Sequence, residues 1–283
     1  MDIDLSDRRL VSWRLLGVVL VVEVLLTVFI NLVLFRSAWA ATNVFGPVRS
    51  ATGGLVTATL LVNLLNVAVV LIGLLIIVGG LRLKDLGLER SKLSVAVGVT
   101  IGLWVALQAV AASVSLVQTG TVRINPSWGQ ARIGVMLGLL VAQLFGNALY
   151  EEILFRAVLL DQLVLKLRDR RWGFPLALVG SQTVFALLHV PNPLLRDYTL
   201  AEMAGGLRLL FLMGLLFALV YHRTGNLLVA IGVHAVNNSP TMLVATPLSG
   251  QFFVTVLLVG LVAAWPVLRR PLGRVIARRS TSN

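Results

Sequence analysis

Two adjacent carboxylates and an arginine stand inside a long apolar run, Leu149-Tyr150-Glu151-Glu152-Ile153-Leu154-Phe155-Arg156. Charges at membrane depth are costly, so they are rare and usually functional. Glu152 and Arg156 are four apart, in the order that favours an ion pair on one helical face, and such a pair accounts for both. It leaves Glu151 over, because a rotation of about 100° per residue turns Glu151 away from the centre of that pair. A carboxylate in a dry site suits a general base acting on water.

Other segments offer Glu151 partners. Gln143, Asn147 and Glu151 are each four apart, a polar stripe that should face other helices rather than lipid. Downstream lie Phe185 and His189, with Gln182 seven before the histidine, and then His234 and Asn238, again four apart. The third histidine, His222, sits beside Arg223 and reads as surface. Taken singly, each histidine is more often an interhelical hydrogen-bond partner than a catalyst. Asn237 and Asn238 before Ser239-Pro240 could simply end a helix. Taken together, two histidines, a carboxylate and an asparagine on three segments form a less probable accident. An imidazole and an amide can donate to a developing oxyanion. Alternatively Glu151, His189 and His234 could ligate a zinc ion, whose bound water would be the nucleophile. Both routes lead to hydrolysis of an amide bond inside the membrane. The sequence holds no His-Glu-x-x-His pair, no Gly-x-Ser-x-Gly and no cysteine.

The elements that must position these groups are helices. Of 283 residues 58% are hydrophobic and 13% charged, and the mean hydropathy is +0.92, far above soluble domains. The expected fold is all-α, a polytopic membrane bundle of about eight transmembrane helices. Apolar segments span 15–35, 55–81, 93–117, 133–165, 175–190, 207–221, 227–238 and 252–268. The first is too long for a signal-peptide core and reads as an uncleaved span, although Ala38-Trp39-Ala40 imitates a cleavage site. The seventh is short for a span and needs cover from its neighbours. The fourth is long, with Gly146 as a candidate bend. Glu23 and Asn31 lie within the first span, and no partner for the acid can be named from sequence.

The net charge of +12 arises from arginines and lysines at the ends of the apolar runs, which excludes nucleic acid as the preferred partner. With eight spans, all basic clusters fall on one side, so both termini are expected in the cytoplasm of a plasma (inner) membrane. Residues 269–283 form a basic cytoplasmic tail suited to anionic lipid. The whole chain, 1–283, is expected to be a single membrane domain with its chemistry between 143 and 240. Depth agrees loosely: Glu151 is about 22 Å from Lys166, His189 about 27 Å from Arg171 and His234 about 16 Å from Arg223.

The ordered set Glu151-Glu152-xxx-Arg156, Phe185-xxx-His189 and His234-xxx-Asn238 resembles the signature of the CPBP family, the CAAX protease and bacteriocin-processing (Abi) group of intramembrane endopeptidases. The resemblance covers residues from about Gln143 to Pro240 and departs at no signature position. It implies a glutamate-dependent membrane protease. Glu151 would activate water assisted by His189, His234 and Asn238 would bind the oxyanion, and Glu152 and Arg156 would hold the fourth helix in place. Phe185 and Asn147 would support the site. The substrate implied is a peptide or protein with a membrane-associated segment, cut near a lipidated or membrane-embedded C-terminus. The family's name as a metalloprotease and its proposed glutamate mechanism disagree over zinc. Two other readings stand beside it: a non-enzymatic immunity or scaffold protein of the same fold, and a small proton-coupled transporter.

Overall fold

The computed structural model describes residues 5–130, 133–195 and 198–280. Eight principal helices run in chain order: α1 (Trp13–Leu34), α2 (Ala58–Val78), α3 (Leu93–Thr119), α4 (Ile133–Lys166), α5 (Gly173–Leu187), α6 (Leu200–Thr224), α7 (Leu227–Asn238) and α8 (Gly250–Ser280). Seven membrane-crossing candidates by length and composition account for all but α7. Among the described residues no strand forms; a single antiparallel bridge joins Ile124 to Val244. The protein is thus an all-α, polytopic integral membrane bundle. The side chains of the basic tail, from Arg269 on, lie outside the described residues.

Side-chain caps set several of the helix starts. Ser12 accepts from the Leu15 N–H at α1, Thr57 from the Leu60 N–H at α2, and Asn226 from the N–H groups of Leu228 and Val229 at α7. Thr199 and Glu202 form a reciprocal capping box, so α6 begins seven residues earlier than the apolar run 207–221 implied. Gly225, at φ +61°, closes α6 in the left-handed conformation that lets α7 start at once.

The two helices that carry most of the site are also the most enclosed. In α7 every residue from Val229 to Asn237 is buried, with α3, α4, α6 and α8 around it. That enclosure satisfies a 12-residue helix too short to span the hydrocarbon by itself. Along α4, residues 150 to 162 are all buried, the mark of a helix with neighbours on every side. It widens into i→i+5 turns over Gln143–Asn147 and again over Ile153–Leu160. Gly146 lies in the first of these, where α2 comes close: a Cβ there would stand 3.2 Å from Asn63 Cβ and 3.3 Å from Leu60 Cδ1. Exposed apolar side chains such as Ile77, Val117 and Val256 lie on the outer helices, as expected where the surroundings are lipid.

Outside the spans, the N-terminal arm is fastened to the bundle. The Val11 N–H donates to Gln162 Oε1 and Gln162 Nε2 donates to the Arg9 carbonyl, both at 2.8 Å. Asp85 accepts from the Arg82 N–H and guanidinium and from the Arg9 N–H. Burial alone would raise its carboxyl, but the hydrogen bonds from Arg82 and Arg9 outweigh burial and hold it at about 2, below its ordinary 3.8. A depressed carboxyl contributes stability above its unfolded value and loses it as pH falls through the folded one. Thermal unfolding of the wild type should therefore fall off between pH 3.8 and about 2, and Asp85→Asn should flatten that slope. Parallel slopes for the two proteins would contradict this account.

Candidate active site

Glu151 projects from α4 into a cavity of about 760 Å³, between two imidazoles. His189 Nε2 stands 3.6 Å from Glu151 Oε1, and His234 Nε2 stands 3.7 Å from Oε2. The carboxylate is 11% exposed, enough to meet a reactant in the cavity while sheltered from bulk solvent. These are the groups that sequence spacing singled out, brought together from α4, α7 and the turn after α5.

His189 is not on the fifth helix itself. That helix ends at Leu187, and His189 lies in the turn before a short helix, Pro191–Leu195. Pro191 accounts for the break, since the residue before a proline is disfavoured in the α region. In the turn, His189 Nδ1 lies 2.8 Å from the Phe185 carbonyl. A carbonyl can only accept, so Nδ1 carries the hydrogen and Nε2 is the nitrogen turned to Glu151. The Phe185 ring meets the imidazole edge-on at 4.7 Å, which gives Phe185 its supporting part.

His234 is held from both sides. Its Nδ1 lies 2.7 Å from Glu152 Oε1, and the same oxygen is 3.1 Å from Arg156 Nη1. Asn238 Nδ2 lies 3.0 Å from His234 Nε2 and 3.1 Å from Gln143 Oε1. One consistent assignment follows: Nδ1–H donates to Glu152, while the two hydrogens of the Asn238 amide go to Gln143 and to Nε2. In this state His234 Nε2 accepts, so neither it nor Asn238 offers a free donor. Binding an oxyanion therefore requires Asn238 to leave one of its two acceptors. Phe217 stacks on the His234 ring at 4.1 Å and 19°.

The expected pair of Glu152 and Arg156 is present, both fully buried, and it does more than pin one helix. Arg156 Nη2 donates to the Gly214 carbonyl on α6 at 3.2 Å, and the guanidinium lies over Phe185 at 4.7 Å and Phe217 at 5.7 Å. The pair thus organises the rings beside both histidines. A Cβ at Gly214 would stand 2.8 Å from Gln182 Oε1 and 3.0 Å from the Phe185 ring, so glycine is what admits α6 here. Gln182 is fully buried and donates to Ser181 rather than joining His189. Asn147 lines the cavity. His222 is half-buried against the Phe174 ring, where a plain surface position was expected.

Sequence reasoning named no partner for Glu23 and missed the α2 amides that share its cavity. Glu23, 5% exposed, accepts from the Tyr150 hydroxyl and from Thr27 Oγ1, and it lines the same cavity as Glu151. Asn63 and Asn66 of α2 and Asn237 of α7 line it too. Two amides three apart in an apolar run were the available signal.

Zinc could draw only on Glu151, His189 and His234 here. Each imidazole faces a different oxygen of Glu151, and among the described residues no three His, Cys, Asp or Glu side chains are spaced to hold a metal ion. The arrangement present does not fit the ion, and no step below is routed through it.

No curated protein and no solved structure matches the chain. Residues 133–240, which run from α4 to just past α7, match the family model described as Type II CAAX prenyl endopeptidase Rce1-like, which bears out the resemblance of the three motifs to the CPBP, or CAAX-protease, family.

Proposed function

We propose that this protein is an intramembrane endopeptidase in which Glu151 activates the attacking water. The observation that carries the reading is a buried carboxylate at a cavity wall with a histidine nitrogen facing each of its oxygens. Glu151 removes a proton from water as the water oxygen bonds to the scissile carbonyl carbon. The carbonyl oxygen becomes an oxyanion, and Asn238 turns an Nδ2–H toward it from Gln143, with His234 completing the donor pair when protonated. Glu152 behind His234 accepts from Nδ1–H and so fixes the ring with Nε2 turned to the cavity. His189 Nε2 relays the proton from Glu151 to the departing amine as the C–N bond breaks, which restores the carboxylate.

The substrate is a prenylated protein presented within the bilayer, the class implied by the family description, and cleavage falls near its lipidated C-terminus. Counted over eight spans, the basic clusters at the span ends support cytoplasmic termini, and we read the chain as a single domain of the plasma (inner) membrane. Zinc on Glu151, His189 and His234, which the spacing of these groups does not favour, is the alternative that the test has to exclude.

Purified protein in detergent tests the reading directly. Quenched peptides with a farnesylated C-terminus should be cut and those without it should be cut less, and turnover should survive extensive chelation. Turnover abolished by chelation and restored by zinc would replace the metal-free mechanism. No cleavage of any prenylated peptide would remove the protease reading.

A further inference from the structure

The helix ends sort into two faces. At one, Arg8 donates to the Lys84 carbonyl, Lys166 lies over the Trp13 ring, and Lys92 donates to the Gly225 carbonyl. At the other, Arg36 donates to the Leu194 carbonyl, and the turn before α2 lies against Gly134 and Gly138 of α4. The loop between α7 and α8 joins this second face, where Trp128 Nε1 donates to the Met242 carbonyl and Ile124 bridges Val244. Basic residues are shared unevenly between the two. The first has Arg8, Arg9, Arg14, Arg223 and the clusters at 82–92 and 166–171, whereas the connections of the second carry Arg36, Arg49, Arg123, Arg132 and Arg196. Lysine and arginine concentrate on the cytoplasmic side of a membrane, which makes the second face extracytoplasmic.

The cavity belongs to that second face. It is lined by Phe35 just past α1, Thr59 in the first turn of α2, Asn192 after α5, and Ser249 and Gln251 at the start of α8. Phe35, Ser249 and Gln251 are exposed. In the other direction the lining becomes aromatic and buried, at Phe155, Phe185 and Phe217. From Phe217 to Thr224 and from Phe155 to Lys166, about 10–17 Å of helix separates this floor from the basic face. Leu71, Leu75, Leu154, Val158 and Val220, packed in one buried cluster, fill that depth. The seam between α1 and α2 accounts for the direction. Trp13–Val28 packs on the Val67–Val78 half of α2, whereas Phe29–Leu34 packs on the short helix Pro191–Leu195. The approach to Glu151 is lined by the uncharged amides of Asn31, Asn63 and Gln251, which suit the N–H and C=O groups of an extended peptide.

We infer that the site is entered from the face opposite the basic clusters, the extracytoplasmic one, so that its substrate is an exported, membrane-anchored polypeptide whose scissile segment is presented at that face. The substrate class rests on the protease reading; the direction of entry does not.

The sequence contains no cysteine, so one introduced thiol reports its own position. Thr59→Cys, Ser249→Cys and Gln251→Cys mark the mouth of the cavity. Asn43→Cys marks the connection between α1 and α2, and Asp169→Cys the loop between α4 and α5, both exposed. The full chain is expressed in a bacterial inner membrane and treated with a membrane-impermeant sulfonated maleimide, in spheroplasts and in inside-out vesicles. Asp169→Cys should label only in inside-out vesicles, and Asn43→Cys and the mouth variants only in spheroplasts. Mouth labelling from the Asp169 side, from both sides or from neither overturns the inference, and so does Asp169→Cys labelling in spheroplasts. Should one mouth variant misfold, the other two carry the test. Cleavage is read separately on the wild type, with a farnesylated quenched peptide whose sulfonated fluorophore keeps it from crossing the bilayer. Turnover should occur in spheroplasts and not in inside-out vesicles. Mouth labelling from outside with no cleavage at either face would sink the protease reading and leave the entry side. Cleavage confined to inside-out vesicles would keep the protease reading and overturn the entry side.

Discussion

Glu151→Gln is expected to lower kcat by about 10²–10⁴-fold, the range that a positioned general base contributes. The substitution keeps the shape of the side chain and removes only its capacity to take a proton from water. KM should move little, because Glu151 acts on water and on the reacting carbonyl rather than on the remote parts of the substrate. Stability should move little as well. The carboxylate is not part of the tight pair formed by Glu152 and Arg156, and its neighbouring histidine nitrogens lie 3.6 and 3.7 Å away. The measurement is turnover of a farnesylated quenched peptide together with gel filtration and thermal unfolding of the same samples. A folded variant that keeps full turnover would show that Glu151 is not the base. A variant that loses activity only in proportion to its loss of folded protein would favour a structural part for Glu151, as in a non-enzymatic immunity or scaffold protein of the same fold. The amide is also a poorer metal ligand, so zinc content measured alongside separates the two hydrolytic mechanisms.

What was legible in the sequence was what depends on near neighbours. The pairing of Glu152 with Arg156 needs only a four-residue spacing, and α7 could be bounded at 227–238 because Gly225-Asn226 and Ser239-Pro240 punctuate it. The start of α6 is hidden because Glu202 and the pair Gly205-Gly206 interrupt the apolar pattern ahead of Leu207; the Thr199 and Glu202 capping signal was there to be read. His189 was assigned to a helix that stops short of it, although Pro191 two residues on was the warning. The long-range contacts had no such marks. Nothing in spacing tells that His234 would take Glu152 as its Nδ1 partner across 82 residues, or that Glu23 would meet Tyr150 across 127. Those pairings follow from how α1, α4 and α7 pack, and packing among uniformly apolar helices is weakly encoded in a hydropathy pattern. Convergence of the three motifs could be anticipated only because a lone charge in lipid demands some partner.

Breaking the buried pair should have the largest effect on stability. Glu152→Gln leaves the Arg156 guanidinium charged, fully buried and without its counter-ion, a change that costs about 3–5 kcal/mol in buried pairs. Arg156→Met alone leaves the opposite charge, relieved in part because Glu152 keeps His234 Nδ1–H as a donor, and it should cost less than Glu152→Gln. The double variant Glu152→Gln with Arg156→Met removes both charges, and replacing a whole buried pair is often close to neutral. Its stability should therefore exceed the sum of the single losses by more than about 1 kcal/mol, since groups in contact do not add. Unfolding of all four proteins in mixed micelles gives that coupling directly. Additive losses would mean that the pair contributes as two separate side chains. The same variants divide fastening from chemistry. Glutamine keeps a carbonyl oxygen for His234 Nδ1–H but holds the ring less firmly than a carboxylate, so the double variant should fold and still turn over slowly. If it instead recovers both stability and full turnover, Glu152 is needed for the architecture of α4 alone, and the donor to the oxyanion is Asn238 without help from a charged His234.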